Sequence, residues 1–332
     1  MATHKPPLRS GLLVAGWRLL RLLPPMAAWR LLHSTPQALL DLAASTAGRP
    51  PEPPWPWRPS ILGRRIPHPI GVAAGLDKDG RLARLAAAMG AGFHVVGSVM
   101  PEPNPGVEPK VLARLPDGGT INRLGLPSPG VERVVARLRG RRVGVPVAVS
   151  IASHTPEGYG RVHRAVAGVA GWVEVNVSCP NVEGGSFEEP EAAREACRQL
   201  DPRGPPGLLK IPPTCDEKRL EDYMDVAREC RLGGIVAGNT RRVRYKGVTA
   251  GLGGPQLYET TLHIVSRLRE MAPRGFTVVA SGGVDTGRKA AELLLAGADA
   301  VEVLSAIIHR GPLAPWIIAW EALEHLEGRR PP

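Results

Sequence analysis

Eight short clusters of residues could carry chemistry. They are Ala74-Gly75-Leu76-Asp77-Lys78-Asp79-Gly80, Gly97-Ser98, Asn122-Arg123-Leu124-Gly125-Leu126-Pro127, Asn176-Val177-Ser178-Cys179-Pro180-Asn181, Lys210, Gly238-Asn239-Thr240, Ser281-Gly282-Gly283 and Ser305. Together they hold two lysines, four asparagines and one thiol, but no histidine. The carboxylates among them, Asp77 and Asp79, flank Lys78 in one loop. A triad hydrolase, a glycosidase or a metal hydrolase needs groups that this set lacks. An asparagine offers both a donor and an acceptor, which suits the alternating amides of a pyrimidine or flavin ring. A lysine suits a carboxylate or an anionic flavin. A thiol removes an acidic proton when its pKa lies near the working pH.

Each residue also has a plainer reading. A lone cysteine is usually a small buried hydrophobe, which is how Cys197, Cys215 and Cys230 read. Cys179 differs, because it stands in a polar, Asn-rich loop before Pro180. Lys78 could be an ordinary first-turn residue of a helix. Lys210 lies in the apolar run Gly-Leu-Leu-Lys-Ile, where a lysine is costly without a partner, so it reads as functional. His94, His163 and His309 read as structural or surface residues. A Gly-Gly turn by itself mostly just makes a turn.

These clusters need elements to position them. From residue 66 onward, short apolar runs alternate with helical patterns. The strands expected are Ile70–Ala74, Phe93–Val96, Val145–Ile151, Trp172–Asn176, Gly207–Ile211, Gly234–Ala237, Thr277–Ala280 and Ala300–Leu304. The helices expected include Gly80–Met89, Val131–Leu138, Glu189–Leu200, Asp216–Arg231, Leu257–Met271, Gly287–Ala296 and Leu313–Leu326. Eight strands alternating with helices predict an α/β fold, a (β/α)8 TIM barrel over residues 61–328. The clusters then follow the C-terminal strand ends, where such barrels place their active sites. Gly282-Gly283 opens onto a helix and Ser305 follows the last strand, a common place for a phosphate.

Residues 1–48 form a small helical extension. Leu8–Leu23 and Met26–Ala47 read as two amphipathic helices divided by Pro24 and Pro25, with Arg9, Arg18, Arg21 and Arg30 among the leucines and tryptophans. Such helices pack on protein or lie in a membrane interface. Residues 49–60, rich in proline, form a stiff linker. With 42 Lys+Arg against 31 Asp+Glu, the net charge of +11 favours an anionic partner without choosing among them. The arginines are scattered, so no nucleic-acid tract stands out. The four cysteines form no C-x-x-C pair and none has metal spacing to a histidine, so no metal is expected. No signal peptide or apolar run of about 18 residues is evident, which predicts an intracellular, non-spanning chain.

The clusters Ala73–Gly80, Gly97–Gly106, Ile121–Leu126, Asn176–Asn181 and Ala280–Asp285 occur in the order of a known family. From about residue 60 to 325 the chain resembles dihydroorotate dehydrogenase, which oxidises dihydroorotate to orotate with FMN in pyrimidine (UMP) biosynthesis. The resemblance implies that Ala74, Gly75, Lys78, Ser98, Ser150, Asn176, Lys210, Gly238, Gly254, Gly282, Gly283, Leu304 and Ser305 contact FMN. Lys210 would stabilise the reduced flavin anion. Lys78, Asn122, Arg123, Leu124, Gly125, Leu126, Asn176, Asn181, Asn239 and Thr240 would hold the substrate. Cys179 would remove the C5 proton while the C6 hydride passes to flavin.

The family has two broad classes, and this chain mixes their features. The N-terminal helices and A-G-L-D-K-D-G resemble the membrane-associated, quinone-reducing class. Cys179 stands where that class has serine, and with Leu126-Pro127 resembles the soluble class. Ser150 replaces a usual asparagine, and Gly238 precedes Asn239 where threonine is usual. The N-terminal segment implies quinone as acceptor and a peripheral place on the cytoplasmic side of the cell membrane; the alternatives are a cytoplasmic enzyme using fumarate or NAD. An NAD-using form would need a separate iron–sulfur subunit. A tRNA dihydrouridine synthase is a rival FMN barrel, but its loop reads G-C-P and it needs a further RNA-binding domain. A barrel that binds phosphate without catalysis is the non-enzymatic rival.

Overall fold

The structure, a computed structural model, describes residues 10–178, 188–213 and 216–326. Cys179, Asn181 and Cys215 lie outside the described residues. The described chain opens with three helices, α1 (Gly11–Leu22), α2 (Pro25–Ser34) and α3 (Gln37–Ala47). Two were expected. Pro36 divides the second, because its ring removes an N–H and forces the preceding residue out of helical conformation.

Eight parallel strands then close into a barrel: β1 (Ile70–Asp77), β2 (His94–Val99), β3 (Val147–Ile151), β4 (Val173–Asn176), β5 (Gly207–Ile211), β6 (Gly234–Ala237), β7 (Thr277–Ser281) and β8 (Ala300–Val303). Every strand pairs with its sequence neighbours, and β8 pairs with β1. Around them run α4 (Ala83–Ala88), α5 (Val131–Leu138), α6 (Pro156–Ala165), α7 (Pro190–Arg198), α8 (Glu217–Glu229), α9 (Tyr258–Met271), α10 (Gly287–Leu295), α11 (Ser305–Arg310) and α12 (Ala314–Leu326). In α5 the buried residues are Val131, Val134, Val135 and Leu138, the spacing of one helical face. The strands bury both faces and so read as continuous apolar runs.

Two features escape a reading by local pattern. Helix α6 contains Gly158 and Gly160, which read as breakers. Its start is nonetheless well made: Pro156 occupies the first turn and the Thr155 hydroxyl accepts the Gly158 N–H. The other feature is a four-stranded antiparallel sheet ordered Arg241–Tyr245, Val248–Gly253, Thr120–Arg123 and Val111–Arg114. It is assembled from the excursions after β2 and β6, and Ile121, Ala250 and Leu252 form a small apolar cluster of its own. Helix α2 packs on Val111–Arg114, and Arg114 donates to the carbonyls of Arg21 and Leu23, tying α1 to the same sheet.

The barrel interior is layered. Its lower part is an apolar plug in which Ile61, Ile66, Phe93, Val95, Ala148, Trp172, Leu208, Val236, Val279 and Ala300 pack together. Side chains alternate across a strand, so the residue two positions on from a plug residue again points inward. That rule sends Glu302, Lys210 and Ser150 into the layer above the plug, after Ala300, Leu208 and Ala148.

Candidate active site

A single cavity spans the C-terminal strand ends and reaches the inner faces of α1 and α2. Its wall includes Ala74, Gly75, Lys78, Ser98, Asn122, Leu124, Gly125, Leu126, Asn176, Lys210, Asn239, Thr240, Gly254, Gly282, Gly283, Leu304 and Ser305. Arg123, Ser150 and Gly238 are not part of it. Arg123 is buried and donates to the Pro109 carbonyl. Ser150 lies behind the wall, its hydroxyl 2.8 Å from that of Ser98.

Asn176, at the end of β4, is held from both sides. Its Nδ2 donates to Ser98 Oγ at 2.8 Å, and its Oδ1 accepts from Asn239 Nδ2 at 3.2 Å. The Tyr159 hydroxyl donates to its carbonyl. Ser150 thus supports Asn176 through Ser98. Asn239 also donates to the carbonyl and hydroxyl of Ser178, and the Ser178 hydroxyl donates to the Lys210 carbonyl. The chain is therefore well anchored immediately before Cys179.

Lys78 reaches the cavity because of the residue before it. The Asp77 carboxylate is fully buried and accepts the N–H groups of Asp79, Gly80 and Leu82 and the ring of His94 at 3.0 Å. Burial opposes the Asp77 charge, but the His94 hydrogen bond and charge and the backbone N–H of Asp79 outweigh it, and the pKa lies below the usual carboxylate range. Asp77 itself is turned away from the cavity and acts as the anchor of this loop.

Lys210 sits in the cavity floor, 4% exposed. Its Nζ lies 3.1 Å from Glu174 Oε2 and 2.8 Å from Glu302 Oε2. Both glutamates are fully or almost fully buried, at 0% and 2%. Burial opposes the Lys210 charge, but the two carboxyl groups hold its pKa above the ordinary lysine value. Neither glutamate stood among the candidates read from sequence. The signal that singled out Lys210, a charged residue inside an apolar strand, is equally present in Val-Glu-Val-Asn and Ala-Val-Glu-Val.

At the rim beyond β7 and β8, Gly282 (φ 138°) and Gly283 (φ 83°) use backbone conformations that side chains rarely adopt. A Cβ on Gly283 would stand 2.3 Å from Tyr258 Cα, so only glycine lets this turn lie against α9. Opposite, the Thr120 and Ser305 hydroxyls are 2.7 Å apart. At the far end, Trp17 and Trp29 line the cavity, and their indole N–H groups are buried without an acceptor among the described residues. No metal-binding cluster occurs among the described residues.

Comparison with known proteins agrees with this geometry. The family model described as dihydroorotate dehydrogenase matches residues 58–326. A Mycobacterium marinum protein named dihydroorotate dehydrogenase (quinone) is 33% identical over 320 residues, covering 89% of this chain and 88% of its own length. One of the same name from Christiangramia forsetii is 31% identical over 272 residues, covering 76% and 80%. Among solved structures, the ligand-free DHODH of Eimeria tenella superposes with a TM-score of 0.77 at 27% identity, covering 89% of this chain and 96% of that one. The DHODH of Eimeria tenella in complex with ferulenol gives 0.72 at 26% identity, covering 89% and 92%.

Proposed function

The chain belongs to the dihydroorotate dehydrogenase family, and from that membership we propose how its own residues carry the reaction. It is a quinone-dependent flavoprotein that oxidises dihydroorotate to orotate in pyrimidine biosynthesis. The observation that carries the residue assignment is the convergence of Lys78, Asn122, Asn176, Lys210, Asn239 and the Gly282-Gly283 turn on one cavity.

The flavin is FMN. The residues fit it: the Gly282-Gly283 turn brings backbone without side chains to the cavity wall, packed so closely on α9 that a Cβ on Gly283 would clash with Tyr258, and Lys210 presents a buried cation in the floor of the same cavity. Ala74, Gly75, Ser98, Asn176, Lys210, Gly254, Gly282, Gly283, Leu304 and Ser305 would hold it. Bound there, FMN supplies a hydride acceptor and a carrier of electrons to quinone.

Every other part of the reaction rests on the chain itself. Lys78 attracts the substrate carboxylate. Asn122, Asn176, Asn239 and Thr240 present donors and acceptors to its ring amides, and Leu124, Gly125 and Leu126 close over it and limit water. Asn181 joins them from outside the described residues. Cys179 takes the C5 proton. The network through Asn239, Ser178 and Lys210 fixes the backbone as far as Ser178, the residue before Cys179, which is the positioning part of catalysis.

Quinone enters between α1 and α2, where the cavity wall becomes apolar and Trp17 and Trp29, whose buried indole N–H groups have no acceptor among the described residues, line it. The chain docks peripherally on the membrane through these helices. Every large apolar side chain exposed among the described residues, Leu12, Leu19, Leu22, Leu31, Leu39 and Leu42, lies on α1–α3, with Arg18, Arg21 and Arg30 among them. No described helix is long and apolar enough to cross a membrane.

The test is anaerobic mixing of the yellow enzyme with dihydroorotate, which should bleach the flavin. Decylubiquinone should then restore the colour faster than fumarate or NAD. A flavin that dihydroorotate leaves oxidised would end the reading of the reaction; reoxidation by fumarate alone would end that of the acceptor.

A further inference from the structure

Three charged side chains meet in the barrel floor, and their arithmetic is unusual. Lys210 brings one positive charge, while Glu174 and Glu302 could bring two negative ones. All three are nearly sealed from water, at 4%, 0% and 2% exposure. A surplus anion in such a place is expensive and is ordinarily removed by taking up a proton.

The geometry offers that solution. The two carboxyl groups contact the same Nζ, at 3.1 and 2.8 Å, so both are held against one buried ammonium group. Neither Glu174 Oε1 nor Glu302 Oε1 has a donor among the described residues. Two carboxylates cannot hydrogen-bond to each other; a carboxylic acid and a carboxylate can. Their surroundings distinguish the two. Glu302 lines the cavity and lies closer to Lys210, whereas Glu174 is behind the wall.

We propose that Glu174 and Glu302 share one proton and present a single negative charge to Lys210, leaving the triad neutral beneath the flavin. Resting on the flavoenzyme reading above, this makes the pair a positioning and charge-setting element for Lys210. The titration directions agree. Burial and the neighbouring Glu302 push Glu174 well above the usual carboxylate range, whereas the Lys210 charge holds Glu302 below it despite its burial. The charge belongs to the pair, since whichever carboxyl remains after loss of the other can carry it.

The consequence is a non-additive effect on the flavin. In Glu174→Gln or Glu302→Gln the remaining carboxyl ionises, one anion still faces Lys210, and the midpoint potential should stay close to wild type. In the double variant the Lys210 charge is uncompensated, the reduced anionic flavin is favoured, and the potential should rise. Potentials are measured on the flavin-loaded protein with dithionite and reference dyes, so the readout needs neither substrate nor quinone. An upward shift in each single variant, summing to that of the double, would overturn the proposal.

A second measurement stands apart from folding of the double variant and from flavin binding. Infrared spectroscopy of the wild-type protein at neutral pH should show a protonated carboxylic acid band that disappears in each single variant. Its absence from wild type, or its persistence in either single variant, would equally overturn the proposal. Failure of dihydroorotate to bleach the wild-type flavin would instead strike the functional reading.

Discussion

Replacing Lys210 with methionine keeps the length and much of the volume of the side chain but deletes its charge. The cost follows from the surroundings. Nζ lies 2.8 Å from Glu302 and 3.1 Å from Glu174, and none of the three groups has appreciable access to water. Removing one partner of a buried ion pair leaves a stranded charge and costs about 3–5 kcal/mol, or roughly two to four powers of ten in the folding equilibrium. The variant has an escape, which is to bind a second proton on the glutamate pair. Its folded carboxyls then titrate above their unfolded value of about 4.3. Above that value the folded variant holds more protons than its unfolded chain, so its stability falls as pH rises. In wild type, Lys210 holds Glu302 low, so the stability that Glu302 contributes is present above about 4.3 and lost only on acidification below it. The gap between the two proteins should be about 3–5 kcal/mol near neutrality and should narrow toward mildly acidic pH. Guanidinium unfolding followed by circular dichroism at several pH values measures it. A neutral-pH gap under about 1 kcal/mol, the worth of a surface pair, or a gap that does not narrow in acid would refute the reasoning.

Cys179→Ser should keep measurable turnover with its pH optimum moved upward, because a thiol of pKa about 8.5 is a far better base near neutrality than a hydroxyl; an unchanged pH–rate profile in Cys179→Ala would remove Cys179 from this role. Gly283→Ala forces a Cβ against Tyr258 and should cost one charged hydrogen bond, about 1.5–3 kcal/mol, weakening flavin retention roughly ten- to a hundredfold; flavin fluorescence on dilution reports it, and full retention would argue against a phosphate cradle there. Trp29→Phe should raise the quinone KM by up to about tenfold for one lost hydrogen bond, with anaerobic bleaching by dihydroorotate unchanged; equal loss in both half-reactions would place Trp29 elsewhere in function. His68 accepts the Ile70 N–H on Nδ1 and meets the Gly90 carbonyl through Nε2, so its ring is neutral. Burial lowers its pKa from 6.5 to about 4. The unfolded chain therefore binds more protons between those values, stability rises with pH there, and acidification across the window should cost about 3 kcal/mol. A His68→Gln variant should lose that part of the acid sensitivity, and an identical pH dependence in both proteins would contradict it.

Much of this protein was legible locally. Gly207–Ile211, Gly234–Ala237 and Val131–Leu138 have the bounds that their apolar periodicity predicts. Strand and helix type depend on neighbours a few residues away, and that information is carried by the chain itself. The failures have the same origin in reverse. The extra sheet is built from segments such as Arg241–Tyr245, with three arginines in five residues, and it is stable only because Val248–Gly253 pairs with Thr120–Arg123, more than a hundred residues away. Helix α6 has glycine at 160 for a reason remote in sequence: a Cβ there would stand 2.4 Å from the Gln199 carbonyl oxygen.

The candidate site divides in the same way. Residue type and order alone picked out Lys78, Asn122, Asn176, Lys210, Asn239 and the glycine turn, which share one cavity, because a strand end is a local event and barrels place chemistry there. Closure of the barrel decided who meets whom. It set Asn176 beside Lys210 in register, turned Asp77 and Arg123 away from the cavity, left Ser150 to support Ser98, and carried α1 and α2 to the cavity mouth. It also brought Glu174 and Glu302, from strands 128 residues apart in sequence, onto one ammonium group. Charge in a sealed space depends on every group that shares the space, and which groups share it is a property of the closed barrel, not of any one strand.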